Sequence, residues 1–210
     1  MDFTGIAFDA ALRARIAGNL SRLEPAAVPG DGLKPAAVCV IVTEAGDGRA
    51  ALLVTKRAAS LNRHAGQYAL PGGRVDEGET PFDAARREAL EEIGLALAPE
   101  SFLGRLDDYP TRSGYLITPL VAWVEAGAHI EPNPAEVARV YRVPLAELDR
   151  EGSPQFISIP ESDRPVVRYP ILDTLVHAPT AAVMYQFMEV AWHGRLTRVA
   201  HLEQPVWAWR

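Results

Sequence analysis

The most constraining stretch of this chain runs from Gly73 to Leu95, GRVDEGETPFDAARREALEEIGL. Its second half predicts a helix with both ends marked. Thr80 is a good N-cap, Pro81 fits the first helical position, and Asp83 stands where a capping-box acid reaches back. Gly94 follows the last helical residue, where a left-handed residue is wanted. Phe82, Ala85, Ala89 and Ile93 recur at helical spacing and predict a core-facing stripe. Glu88 and Glu92 lie four apart and Glu91 lies three from Glu88, so three carboxylates cluster beside that stripe. Like charges at this spacing destabilise a helix, and Arg87, four before Glu91, offsets only part of the repulsion. A solvated acidic face would explain a bare Glu-Glu pair. It does not explain a Gly-Gly turn just upstream, Glu79 between turn and helix, and an Arg-Glu pair. Clustered carboxylates beside a glycine turn suit a hard divalent cation, which takes oxygen ligands.

Gly73, Glu79, Arg87, Glu88, Glu91, Glu92, Gly94 and Leu95 resemble the Nudix box, G-x5-E-x7-R-E-U-x-E-E-x-G-U, where U is a bulky aliphatic residue. Ala89 departs from the pattern at the first U, a packing position. The resemblance implies a hydrolase of nucleoside diphosphate derivatives that uses Mg²⁺ or Mn²⁺. It further implies that Glu88 and Glu92 ligate the metal, with Glu91 direct or through water and the Gly72 carbonyl as a further ligand. Glu79 and Arg87 are expected to orient these ligands through a carboxylate–guanidinium contact. The catalytic base is a box glutamate or one from a distant loop, and Glu136 is the loop candidate.

The whole chain limits the alternatives. Its formal net charge of −6 argues against general nucleic-acid binding, which needs a basic footprint. No apolar run is long enough for a membrane span. The N-terminus carries Asp2 and Asp9 and lacks a basic start before an apolar run, unlike a secretory signal. The one cysteine, Cys39, sits in an apolar run and can form no internal disulfide. A reducing, cytoplasmic setting is expected.

In chain order, residues 8–23 predict an amphipathic helix with Phe8, Leu12, Ile16 and Leu20 on one side. A linker rich in proline and glycine follows, so residues 1–34 form a leading segment and 35–210 the main domain. Strands are expected at Ala36–Thr43 and Ala50–Thr55, joined as a hairpin, then a loop with a short strand before the box. Further strands are expected near 103–106, 115–125, 137–143, 155–159 and 166–169, with a short helix at 144–149 and a longer one at 178–193. This α/β pattern predicts helices on either side of a mixed sheet, an α/β/α sandwich. The Nudix resemblance implies the same fold.

A second resemblance bears on substrate. LVTKRAASLNRHAGQYALPGG, from Leu53 to Gly73, is similar to the motif upstream of the box in coenzyme A pyrophosphatases, LLTxR(S/A)x3Rx3Gx3FPGG. Asn62 stands where a second Arg is expected, and Leu70 replaces the Phe. NPAEVARVYRVPL is also similar to a segment of that subfamily. The resemblance implies cleavage of CoA or an acyl-CoA into adenosine 3′,5′-bisphosphate and phosphopantetheine. Lys56, Arg57 and Arg63 are candidate cations for a substrate phosphate. Alternatives are a pyrophosphatase for ADP-ribose or a related compound, and a Nudix fold serving as a sensor or interaction module. The N-terminal helix and the aromatic tail VWAWR offer surfaces for a homodimer.

Overall fold

The structure is a computed structural model, describing residues 5–28, 30, 32–60, 65–172 and 174–208. Helix α1 (Ala10–Leu20) leads into β1 (Lys34–Glu44), β2 (Ala50–Arg57), β3 (Tyr68–Ala69) and β4 (Gly72–Arg74). Helix α2 (Pro81–Ile93) follows, then β5 (Phe102–Arg105), β6 (Tyr109–Pro110), β7 (Tyr115–Trp123) and β8 (Val137–Pro144). The last third holds α3 (Leu145–Leu148), β9 (Gln155–Ile159), β10 (Ser162–Ile171), β11 (Thr174–His177) and α4 (Thr180–Phe187). Helix α4 continues through Met188–Trp192 in a wider turn.

Eight strands make one mixed sheet, built on the path β3-β2-β1-β7-β5. β1 and β7 run parallel, while β2 and β4 pair with β1 in the antiparallel sense. β1 is apolar on both sides because both faces of the sheet are covered. Ala37, Cys39 and Ile41 join Ala84, Ala85, Ala89 and Ile93 of α2 in one core. Val40 and Val42 join Leu12, Ile16 and Leu20 of α1 and the buried side of α4 in the other. Alternation along one strand thus feeds two cores, one on each side of the sheet. The expected α/β/α sandwich is the observed architecture.

One expectation is refined and one is corrected. The strands expected at 155–159 and 166–169 are present, and with β11 they form a separate antiparallel sheet in the order β11-β10-β9. Pattern alone cannot assign them to a sheet, because pairing partners are set by packing. The first helix is also shorter than residues 8–23. The Asp9 carboxylate accepts the Leu12 N–H at 2.8 Å and starts the helix there. Phe8 lies outside it and stacks on Trp123, with ring centroids 4.1 Å apart. Since α1 buries Leu12, Ile16 and Leu20 in the main core, it is part of the same packed body.

Candidate active site

Local chemistry sets the box helix as the spacing predicts. The Thr80 hydroxyl accepts the Asp83 N–H at 3.2 Å, and the Asp83 carboxylate accepts the Thr80 N–H at 3.1 Å. Gly94 ends the helix with φ 66°. The helix buries its alanine stripe on β1 and turns its acids toward the β4 turn.

Arg87 is the hub of that end. Its Nε and Nη2 grip Glu79 in bidentate fashion, at 2.8 and 3.0 Å. Nη1 reaches Glu88 Oε1 at 2.8 Å and Glu91 Oε2 at 3.0 Å. Nη2 also donates to the Arg74 carbonyl at 3.0 Å, which ties the helix to β4. The expected Glu79–Arg87 contact is present, and it fixes loop to helix. The Arg87 guanidinium, with the Asp76 N–H, holds the Glu79 carboxyl down at about 2.

Glu92 is in a different environment. It is 3% exposed, and its Oε2 accepts the Gly72 N–H at 3.1 Å. Burial pushes its pKa up to about 7; Glu88 and Glu136 push the same way, while the Gly72 N–H and Arg57 oppose. Burial likewise raises Glu88, against the pull of Arg87. The glycines are required by closeness. A Cβ on Gly73 would lie 2.2 Å from Glu88 Oε1, and one on Gly72 would lie 2.3 Å from the Ala37 carbonyl oxygen. Gly72 also has φ +152°, which disfavours any side chain.

The donor set suits a hard cation: Glu88, Glu91, Glu92 and Glu136 are all oxygen donors, and the charges of Glu91 and Glu136 add to the rise of Glu88 while those of Glu88 and Glu136 add to that of Glu92. Among the described residues, no group of three His, Cys, Asp or Glu side chains already converges on one metal position. Glu88 and Glu91 are instead bonded to Arg87. The chemistry of the ligands fits, and Glu88, Glu91 and Glu92 are the side chains that would hold the ion. The Gly72 N–H meets Glu92, so the turn carrying the Gly72 carbonyl is locked to one of those ligands.

The more distant candidates divide. Glu136 is brought to the site by the segment before β8, close enough for its charge to act on Glu88 and Glu92. Its backbone carbonyl accepts the Ala58 N–H at 2.8 Å, and its side chain sits 3.4 Å from the Asn133 amide. Arg57 Nη1 stands 3.6 Å from Glu92 Oε1, and its buried Nε has no hydrogen-bond partner among the described residues. Lys56, one residue earlier, points to the other side of β2, its ammonium 5.5 Å from the Tyr68 ring centre. Arg63, with Asn62 and His64, lies outside the described residues.

Sequence reasoning missed Arg74 and Tyr115. The Arg74 guanidinium bonds the Tyr115 hydroxyl at 2.7 Å beside the Gly72–Gly73 turn. It also missed a cavity of about 560 Å³ against that turn, whose far wall comes from β11, the start of α4 and Trp207. No spacing signal could have revealed it, because its walls come from distant parts of the chain.

The sheet, the box helix and this carboxylate cluster define a class. The NUDIX domain model matches residues 33–168, and the chain belongs to that family. Its relatives include proteins named "Uncharacterized Nudix hydrolase NudL". That of Photorhabdus laumondii is 35% identical over 141 residues, covering 66% of this chain and 75% of the relative. Those of Citrobacter koseri and Cronobacter sakazakii are 38% and 40% identical, over 60% and 48% of this chain. The chain spans 66% and 53% of those two relatives' lengths. Two solved structures share the fold. A Nudix hydrolase from M. smegmatis, RenU, has a TM-score of 0.51 at 24% identity, over 80% of this chain and 91% of that one. A MutT/nudix family protein from Enterococcus faecalis has a TM-score of 0.52 at 17% identity, over 90% and 74% respectively.

Proposed function

We propose that this protein hydrolyses the pyrophosphate linkage of a nucleoside diphosphate derivative, and that CoA or an acyl-CoA is its substrate. The observation that carries the reaction is the carboxylate cluster assembled around Arg87 and the Gly72–Gly73 turn. A bound Mg²⁺ or Mn²⁺ would offset the charge developing on the phosphate oxygens and favour deprotonation of water. Glu88, Glu91 and Glu92, with the Gly72 carbonyl, would hold the ion. Arg87 and Glu79 act as positioning residues, since their bidentate contact orients Glu88 and Glu91. Water attacks one phosphorus, a new P–O bond forms, and the bond to the bridging oxygen breaks. The water's proton passes to a carboxylate, for which Glu136 is the candidate beyond the helix.

The CoA reading rests on the stretch 53–73, which builds β2, β3 and the turn beside the carboxylates. Arg57, 3.6 Å from Glu92, is the candidate cation for a substrate phosphate, with Arg63 as a further cation of that segment. The free, buried Cys39 suits a reducing compartment, the cytoplasm. Among the described residues, no helix is long and apolar enough to cross a membrane.

A substrate panel tests the reading. CoA, dephospho-CoA, ADP-ribose, NADH and nucleoside triphosphates are incubated with Mg²⁺ or Mn²⁺, and products are separated by chromatography. CoA or an acyl-CoA is expected to react best, with adenosine 3′,5′-bisphosphate as one product. ADP-ribose turned over while CoA stays intact would replace the CoA reading. No hydrolysis at all would favour a binding module.

A further inference from the structure

We infer that the cavity between the main sheet and the C-terminal segment binds the apolar arm of the substrate, the pantetheine-type chain on the far side of the scissile pyrophosphate. This rests on the CoA reading above and adds a subsite to it. The cavity measures about 560 Å³ and shares Arg57, Gly72 and Gly73 with the carboxylate site. A substrate held there by its diphosphate can therefore extend directly into it.

The lining combines two kinds of group. Arg57 and Arg74, with the Gly72–Gly73 turn, supply positive charge next to the carboxylate site. The sheet also contributes Val38 and Ile117, and the opposite wall contributes Leu175, Val183 and Trp207. Charge beside the turn and alkyl surface on the opposite wall complement a phosphate followed by a long, partly apolar chain. The hydroxyl of Thr111 at the rim is already committed. It lies 3.1 Å from Ser113 Oγ, donates to the Tyr115 carbonyl and accepts the Tyr115 N–H. His177 meets Trp207 edge to face at 5.1 Å and bonds the Leu175 carbonyl at 2.9 Å, which shapes one wall.

The wall is also held in place from behind. Glu203 is buried and gripped by Arg112, and Gln204 donates to the Pro110 carbonyl and accepts the Arg112 N–H. These bonds clamp the tail that carries Trp207 to the Thr111 rim. Most of this wall lies beyond residue 168, where the family match ends. The near wall of this subsite thus belongs to the segment that the family shares, and its far wall lies outside it.

The test titrates the full chain with 4′-phosphopantetheine and, separately, with adenosine 3′,5′-bisphosphate by calorimetry. It also measures steady-state kinetics on CoA. Leu175→Ala and Trp207→Ala remove apolar contact worth about tenfold in affinity. Each is expected to weaken 4′-phosphopantetheine about tenfold more than the bisphosphate, and to raise the KM for CoA with little change in kcat. Circular dichroism checks folding. Leu175, at 40% exposure, provides an answer even if the Trp207 variant does not fold. No binding of 4′-phosphopantetheine, or equal weakening of both ligands, overturns the assignment. CoA left intact by the wild type defeats the substrate reading by itself. CoA cleaved with a KM that neither variant moves defeats the cavity assignment alone.

Discussion

Arg87 gathers a cluster of carboxylates and Arg112 grips a single one, and the two contacts are built on opposite principles. Arg87 faces three glutamates, all within eight residues of it along the chain. Negative charge is in excess there, and Glu92 adds to it from below. Arg112 faces one glutamate, Glu203, ninety-one residues away, at 3.0 Å through Nε. That pair is matched in charge and supported by Ser162, whose hydroxyl donates to Glu203 at 3.0 Å. The first cluster is short of positive charge, as the proposed cation site requires. The second is balanced, as a structural clamp should be. The difference teaches that an arginine–carboxylate contact shows its purpose through the charge left over.

Removing negative charge from the first cluster should break the comparison most sharply. Glu92→Gln keeps the size and the contact to Gly72, but weakens a hard-cation site. Hydrolysis should fall at least about 100-fold, with circular dichroism unchanged. Near-normal turnover at saturating Mg²⁺ would remove Glu92 from the ligand set. A smaller effect is expected from Arg87→Lys, which keeps the charge and loses the planar fork. Orientation of Glu79, Glu88 and Glu91 would loosen, lowering kcat with little change in KM. A change confined to KM would instead put Arg87 on the substrate.

The smallest effect lies in the balanced pair. Glu203→Gln should destabilise the fold by about 1–2 kcal/mol, a modest figure because Arg112 is half exposed. The loss should depend on pH in a stated direction. The Arg112 guanidinium holds the folded Glu203 carboxyl down at about 2, against an ordinary value of 4.5. Its contribution is therefore complete above about pH 4.5 and disappears as the pH falls towards 2. Thermal melts of wild type and variant should differ at neutral pH and converge on acidification. A gap that stays constant would show that the pair contributes by shape rather than charge.

The legible part of the site was the part confined to one helix and the turn before it. Caps at Thr80 and Gly94, the alanine stripe and the spacing of Glu88, Glu91 and Glu92 all follow from a period of 3.6 residues, so sequence distance translates into geometry. The Arg87–Glu79 contact was legible for a related reason, since only a short loop separates its partners. The buried state of Glu92 was less visible. Its spacing puts it only beside the apolar stripe, yet the Gly72 turn closes over it and leaves it 3% exposed.

By itself, then, the sequence determined the family, the box helix, most of the strands and the alternation that gives β1 two apolar faces. Each of these depends on interactions between near neighbours or on a simple repeat. Tertiary structure decided that β9, β10 and β11 form their own sheet and that α1 joins the main core. It also decided that Glu136 reaches the box, and that Arg112 holds Glu203 behind a cavity walled by the tail. These contacts join residues tens of positions apart. Their partners are selected by which apolar surfaces must be covered together, and no local pattern encodes that choice.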